Sequence, residues 1–130
     1  MKKPKGIISP KEAKQLNDAF NTRCELISKD IVKRPDNRSS WWSLEDIRGY
    51  LDYAEKQAKE LGHEMNGIRV YCGAHPEVKG KVGYSTSFIV PTAEIIDGKD
   101  GGGKNGDIPD AEALNRGQDG WPPNASYPQL

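Results

Sequence analysis

Two cysteines and two histidines are the residues of this sequence best suited to nucleophilic or metal-binding chemistry. Cys72 and His75 are separated by two residues, a spacing at which a thiolate and an imidazole can act together or bind one metal ion. Cys24 and His63 are distant in the chain, and no C-x-x-C pair is present. A catalytic pair also needs a third, orienting group. We therefore interpret Cys72 as a strand residue and His75 as a turn residue, with a metal or thiol site there as the alternative.

A glycine-rich stretch imitates a phosphate-binding loop. Gly101, Gly103 and Gly106 satisfy the pattern G-x-G-x-x-G, and residues 98–105 (GKDGGGKN) fall one residue short of the pattern of a phosphate-binding loop. Asn105, however, stands where a phosphate-binding loop needs a magnesium-binding serine or threonine, and no amphipathic helix follows. Because a tract this rich in glycine matches such patterns by composition, we expect no nucleotide and no other cofactor.

Aromatic and arginine side chains are the strongest candidates for contacts with a partner, because these residues dominate binding energy at interfaces. Trp42 directly precedes a helix-capping Ser43 and is expected to form a hydrophobic staple with Ile47. Trp41 is then free to point outward. The candidates for partner binding are Arg38, Trp41, Arg69, Tyr71, Trp121 and Tyr127.

Two amphipathic helices are predicted upstream of the strands. Ser9, Pro10 and Glu12 form the pattern of a capped helix start, and Pro35 ends that segment. A second capped start at Ser43 leads to Gly62, which favours helix termination. The spacing predicts two core faces, one formed by Leu16, Phe20, Cys24, Ile27 and Ile31, and the other by Ile47, Leu51, Ala54, Ala58 and Leu61.

Two β-rich runs follow, at residues 68–72 and 84–90, and predict an antiparallel hairpin with a long loop. Ile95 and Ile96 form either a third short strand or a cover for the sheet edge. We expect Ile68, Val70 and Cys72 to meet the helices together with Tyr84, Thr86, Phe88 and Val90. The opposite face, with Arg69, Tyr71, Ser85 and Ser87, is then either solvated or a shallow binding surface. The predicted fold is α+β, with two amphipathic helices packed on a small antiparallel sheet.

Composition divides the chain into three parts: a loose basic terminus over residues 1–8, one α+β domain over 9–96, and a flexible tail over 97–130. The tail holds seven of the 14 glycines and four of the nine prolines. Such a segment offers little apolar surface to offset its ordering entropy. Because the remaining core is thin, we predict that a second copy covers the sheet edge or its free face, giving a homodimer.

Charge and hydropathy restrict the function classes. The chain has 19 basic and 19 acidic residues, so its formal net charge is zero and nucleic-acid binding is not expected. No apolar run is long enough to cross a bilayer, and the basic start leads only into Ile7 and Ile8 rather than a signal core. Two cysteines are too few for a disulfide framework. We therefore expect a cytoplasmic protein with free thiols and no membrane contact.

The chain resembles small, functionally uncharacterised proteins of Bacteroidota that also end in glycine- and proline-rich tails. The likeness lies in the strings at residues 42–47 (WSLEDI), 50–55 (YLDYAE), 67–73 (GIRVYCG) and 88–92 (FIVPT), and spans about residues 40–92. The resemblance implies a bacterial cytosolic protein. It supplies no activity, so no functional residue is transferred from it.

Two functions remain open on this sequence. The first is a non-catalytic interaction module that self-associates and engages a protein partner, since no acid/base or nucleophile constellation is present. The second is a small enzyme or ligand-binding domain whose site lies near the end of the first strand, at Arg69, Tyr71, Cys72 and His75. Convergence of these side chains in a concave pocket would favour the second function.

Overall fold

A computed structural model describes residues 1–95, 103–119 and 125–130. Its helices are α1 (Pro10–Ala19), α2 (Asn21–Leu26), a π-helical segment (Ile27–Val32) and α3 (Leu44–Glu60). Its strands are β1 (Ser40–Trp41), β2 (Met65–Ala74), β3 (Ser85–Ile95), β4 (Gly103–Asp107) and β5 (Gln118–Asp119). The main antiparallel sheet has the order β2-β3-β4, and β1 pairs with β5. The predicted α+β class is confirmed.

The first helix begins where the sequence predicts. The Ser9 hydroxyl accepts the Glu12 N–H at 3.1 Å, and the Glu12 carboxylate accepts the Ser9 N–H at 3.2 Å, which completes the capping box. The helix does not run unbroken toward Pro35. It is interrupted at Phe20, and the π-helical segment ends at Lys33, whose φ of 65° is left-handed. We call residues 10–32 the N-terminal arm.

The arm does not pack its apolar stripe into the core, so that prediction is wrong. Leu16 is 67% exposed and Ile31 is 56% exposed, and neither α1 nor α2 contains a buried residue. Helical periodicity identifies a face suited to burial but not the surface that covers it.

Polar contacts instead join the chain after the arm to the sheet. We call residues 33–39, which lead from the arm to β1, the connector. The Arg34 Nη2 donates to the Val82 carbonyl at 2.6 Å. The carboxylate of Asp36, itself buried, accepts the Ser85 N–H at 2.7 Å and the Ser85 hydroxyl proton. Hydrogen bonds therefore tie the connector to the start of β3, and of the apolar side chains of the arm only Val32, at its last residue, is buried among the described residues.

The second helix is confirmed, with a rotated core face. The Ser43 hydroxyl accepts the Asp46 N–H at 2.9 Å, as the cap pattern predicts. Ala54 and Ala58 are fully buried, but Leu51 is 38% exposed and Tyr50 is buried in its place. Leu61, another predicted core residue, is also exposed.

Tyr50 turns inward because its hydroxyl finds polar partners there. That hydroxyl lies 3.1 Å from the Ile89 carbonyl and 2.9 Å from the Glu112 carbonyl. A buried tyrosine needs such a partner for its O–H, and here both acceptors are backbone oxygens.

The register of the hairpin corrects the predicted sheet faces. Val70 pairs with Ile89, and Tyr71 pairs with Phe88. Since paired residues share a face, the helix side carries Val70 and the buried Ile89, whereas Phe88 lies on the opposite face. Thr86, Phe88 and Val90 therefore do not meet the helices, and Arg69 and Tyr71 do not share a face with Ser85 and Ser87. Alternation alone defines two faces without saying how the strands are aligned.

The third strand comes from the segment predicted to be a tail. Ile95 is the last residue of β3, and β4 pairs with β3 through Thr92–Asp107 and Ala93–Gly106. The flexible tail from residue 97 is thus not confirmed, because residues 103–107 extend the sheet. Composition failed here because the strand is polar and glycine-rich, and it is held by backbone hydrogen bonds to β3 and by polar contacts of Asp107 rather than by apolar side chains.

Residues after β4 also complete the core. Ile108 is 5% exposed and clusters with Ala58 and Ala93. Leu114 and Ile89 exchange two backbone hydrogen bonds of 2.9 Å each. The segment 108–114 therefore belongs to the domain that was expected to end at residue 96. Within the part of the chain that the structure describes, no helix has the length and apolar character that a membrane crossing requires.

The burial pattern predicts opposite results for two isoleucines. Ile108→Ala should lower the free energy of unfolding by about 2–4 kcal/mol, because it leaves a cavity in the core. Ile31→Ala, at an exposed position of the arm, should change it by less than about 0.5 kcal/mol. Urea denaturation of both variants measures the difference. A small loss for Ile108→Ala, or a core-sized loss for Ile31→Ala, would contradict the structure.

Candidate functional site

The face of the sheet opposite α3 brings two predicted candidates together. The Arg69 Nη1 lies 2.5 Å from Asp107 Oδ1, and its Nη2 donates to the Asn105 carbonyl at 2.8 Å. The Tyr71 hydroxyl donates to Asp107 Oδ2. The Tyr71 ring stacks on Phe88, with 5.3 Å between centroids. The β2-β3-β4 order produces this cluster, because Asp107 reaches the face from β4.

The three polar side chains of this cluster shift one another's pKa values. The Tyr71 hydrogen bond, followed by the Arg69 contact, holds the pKa of Asp107 below its ordinary value, although desolvation opposes the shift. The same hydrogen bond to Asp107 raises the pKa of Tyr71, and the Asp107 contact raises that of Arg69. Asp107 is therefore an ionised carboxylate with a partner at each oxygen, which makes it a poor general base. Asp107 could not be assigned to this cluster from residue type, since it lies in the segment predicted to be a flexible tail.

Arg38 and Trp41 lie near the joint between the arm and the sheet, away from this cluster. The Arg38 guanidinium donates to Asn21 Oδ1 and to the Asn17 carbonyl, both at 2.8 Å, and lies 5.7 Å from the Phe20 ring centroid. Trp41 is 60% exposed on β1. Its predicted exposure is confirmed, and its role in binding stays a prediction.

The last described residues lie against the arm. The Tyr127 N–H donates to Asn17 Oδ1 at 3.2 Å, and the Asn17 amide donates to Ser126 Oγ at 2.9 Å. This end of the chain thus contacts its own α1. Trp121, the remaining aromatic candidate, falls outside the described residues.

The predicted thiol and imidazole pair gains no third ligand. Among the described residues, no group of three or more His, Cys, Asp or Glu side chains converges on a metal-sized site. Cys72 is exposed, and the backbone N–H of His75 donates to the Tyr84 carbonyl at 3.0 Å within the hairpin. No observation therefore supports a metal site at these two residues.

A small pocket near the end of β2 brings together the two cysteines, which the sequence did not predict. The pocket has a volume of about 160 Å³, and its lining includes Cys24, Arg38, Cys72 and Ser87. Desolvation raises the pKa of the Cys24 thiol. Both cysteines are free, and the raised pKa makes Cys24 a poor nucleophile.

A larger, basic pocket adjoins it and was also missed. Its volume is about 540 Å³, and Lys29, Lys33, Arg34 and Arg38 are in its lining. The two pockets share Cys24 and Arg38. The signal in the sequence was the recurrence of basic residues between positions 29 and 38, of which only Arg38 was predicted to be a binding residue.

Comparisons with protein-family profiles, with curated proteins and with solved structures gave no match to this chain. The resemblance to Bacteroidota proteins therefore stays a prediction.

The two adjacent tryptophans should respond differently to truncation. Trp41→Ala should leave the free energy of unfolding within about 0.5 kcal/mol of the wild type, since its ring is exposed. Trp42 packs against the cluster of Tyr50, Ala54 and Ile89, so Trp42→Ala should cost about 3 kcal/mol or more. Chemical denaturation of both variants tests this, and equal losses would show that Trp41 is buried in solution.

The cluster around Asp107 predicts a pH-dependent contribution to stability. Because folding lowers the pKa of Asp107, its contribution is present above the pKa of the unfolded chain, about 4, and is lost as pH falls through the folded value. The raised pKa of Tyr71 preserves the hydrogen bond up to at least about pH 10. Asp107→Asn should therefore lower the melting temperature at neutral pH, with a smaller effect near pH 3.

Asp30→Asn, at an exposed position of the arm, is the matched control and should show no such pH dependence. Thermal unfolding of both variants across the pH range provides the measurement. An equal loss for Asp107→Asn at neutral and acid pH would exclude the ionised hydrogen-bonded pair.

Proposed function

We propose that this chain is a non-catalytic interaction module whose principal partner is a second copy of itself. The observation that carries the proposal is the free edge of β2. That strand has ten residues and pairs with β3, and no other strand among the described residues pairs with it. Its free edge presents a row of backbone groups suited to pairing with another strand.

β2 lacks the features that usually keep an edge strand from pairing. Its sequence, MNGIRVYCGA, contains one charged residue and no proline. Its single irregularity lies near the start of the strand, between Met65 and Gly67. The opposite edge strand, β4, is different, because it is only five residues long and carries Lys104 and Asp107. Shortness and charge both oppose association, so β2 is the edge to which we assign the second copy.

Apolar side chains beside this edge are uncovered. Ile68 and Val70 are on the helix side of the sheet by register, yet they are 46% and 58% exposed. Tyr53 and Gln57 contact Glu112 and so define the flank of α3 that faces the β4 side. Leu51 is exposed on the opposite flank of the helix. Antiparallel pairing of two β2 strands about a two-fold axis brings the Ile68 and Val70 surfaces of both copies together.

Charge supports attraction between copies. The first 34 residues carry nine bases and four acids, a net charge of +5, and the rest of the chain carries ten bases and 15 acids, a net charge of −5. This positive excess lies on either side of the arm, at Lys2, Lys3, Lys5, Lys33 and Arg34, because residues 10–32 carry four bases and four acids. We expect these cations of one copy to be attracted to the predominantly acidic remainder of the other. The arm's exposed stripe, with Leu16 and Ile31, adds apolar surface to the same association.

The alternative is a ligand-binding domain near the end of β2. It is favoured by the pocket that Cys24, Arg38 and Cys72 line. We do not extend it to catalysis, because Asp107 already has partners at both oxygens and the pKa of Cys24 is raised. A cytoplasmic location in a bacterium forms part of the proposal and rests on the sequence. The additional protein partner stays a prediction.

Sedimentation of the wild type and of two valine-to-lysine variants tests self-association. Sedimentation of the wild type should give twice the 14.4 kDa mass of one chain at micromolar concentration. Val70→Lys places a charge beside the free edge and should raise the dimer dissociation constant by about tenfold or more. Val78→Lys, at a 64% exposed position in the loop between β2 and β3, is the control and should leave it unchanged.

A monomeric wild type at about 100 μM, well above the concentrations at which specific oligomers usually form, would contradict the proposal. So would equal weakening by both valine variants, because Val78 does not lie on β2. Raising the salt concentration from about 0.05 to 0.5 M should weaken the dimer without abolishing it, since only the charge attraction is screened.

A further inference from the structure

The structure contains a second candidate binding surface, distinct from the free edge of β2. It is the basic pocket between the inner side of the arm and the connector that leads to β1, with a volume of about 540 Å³. Protein pockets of about 300–1,000 Å³ are of the size that holds small ligands. Its charged lining residues are Lys29, Lys33, Arg34, Arg38 and a single acid, Glu25, which gives the pocket a net charge of +3.

Arg34 is held in place by uncharged groups. Its Nη1 donates to the Val32 carbonyl at 3.1 Å, and its Nη2 donates to the Val82 carbonyl at 2.6 Å. The guanidinium carbon lies 4.1 Å from the centroid of the Tyr84 ring. These contacts fix the side chain, and no carboxylate among residues 1–95, 103–119 and 125–130 forms an ion pair with it.

Arg38 has the same property. Its hydrogen-bond acceptors are Asn21 Oδ1, the Asn17 carbonyl and Asn17 Oδ1, all of them neutral. The nearby Asp36 carboxylate accepts its hydrogen bonds from Ser85. Arg69 shows the contrast, since it lies against the Asp107 carboxylate. The arginines of the pocket are thus preorganised, and among the described residues neither forms an ion pair. The hydrogen bond from Lys14, with a smaller contribution from Arg38, lowers the pKa of Asp18, so part of the field of Arg38 acts on that carboxylate.

Two lysines complete the pocket. Lys29 and Lys33 are exposed, and neither takes part in an ion pair among the described residues. Lysine supplies a flexible point charge, and arginine supplies planar donors that match the oxygens of a phosphoryl group. A concave surface with two hydrogen-bonded arginines and two exposed lysines therefore suits an anion with more than one negative charge.

We propose that this pocket binds a phosphorylated small molecule, with the phosphoryl group between Lys29, Lys33 and Arg38. A singly charged carboxylate would leave most of the positive charge of the pocket unbalanced, whereas a phosphate ester carries a charge of about −1.5 to −2 near neutral pH. The body of the ligand extends along the pocket toward Ser28 and Pro35.

Titration calorimetry with inorganic pyrophosphate, in chloride buffer at constant ionic strength, tests the proposal. The full chain should bind one pyrophosphate saturably. Lys29→Gln combined with Lys33→Asn should weaken binding by about tenfold or more, because both ammonium groups are removed. Asparagine is chosen at position 33 because it tolerates the left-handed backbone found there.

Lys3→Gln combined with Lys5→Asn removes the same charge from the exposed terminus and is the matched control. Its affinity for pyrophosphate should equal that of the wild type, and thermal unfolding should show that both double variants are folded. Equal weakening in the two double variants would overturn the proposal, because it would indicate a diffuse positive field. Absence of saturable binding would overturn it as well, and citrate binding as tightly as pyrophosphate would remove the preference for phosphoryl groups.

Discussion

The fold depends on the docking of residues 108–114 against β3. Ile89 and Leu114 exchange two backbone hydrogen bonds, and the Tyr50 hydroxyl reaches carbonyls on both segments. Without this segment, α3 would cover only β2, β3 and the short β4, whose sequence GKNGD contains no apolar side chain. A small sheet with so little apolar surface is of marginal stability in water. Ile108 and Leu114 supply the apolar surface that the hairpin lacks. The polar composition of residues 97–130 hides this role, because few apolar residues suffice when each one meets a buried partner.

Sequence patterns predicted the local elements better than their arrangement. The caps at Ser9 and Ser43 and the hairpin were predictable, because each is set by residues close together in the chain. The exposure of Leu16 and the pairing of Val70 with Ile89 were not, because they depend on which distant surface is available. The same reasoning applies to the candidate site. Arg69 and Tyr71 were identified from residue type, but their partner Asp107 comes from a strand with no apolar alternation to reveal it.

The Asp107 cluster and the arm joint differ in whether their arginines are paired with a carboxylate. On the open face, Asp107 satisfies Arg69 and Tyr71, so that cluster stabilises the pairing of β4 with the rest of the sheet. At the arm joint, Arg34 and Arg38 form hydrogen bonds only with neutral acceptors. Their contacts order the connector without cancelling its charge. Order with uncompensated charge is the property that an anion site needs, and it is absent from the Asp107 cluster.

The thin core and the free edge of β2 have a common physical origin. Among the described residues, α3 is the helix that covers the sheet. Its buried residues Tyr50, Ala54 and Ala58 cluster with Ile89 and Ala93 of β3 and not with Ile68 and Val70 of β2. The arm, which the sequence predicted as the second covering helix, lies beside the end of the hairpin, because Asp36 and Arg34 bind Ser85 and Val82 there. Ile68 and Val70 are consequently left beside an unpaired strand edge. Among the described residues, both the backbone groups of this edge and the apolar side chains beside it are left uncovered. The proposed second β2 strand would cover both, whereas a partner that contacts only side chains would cover one.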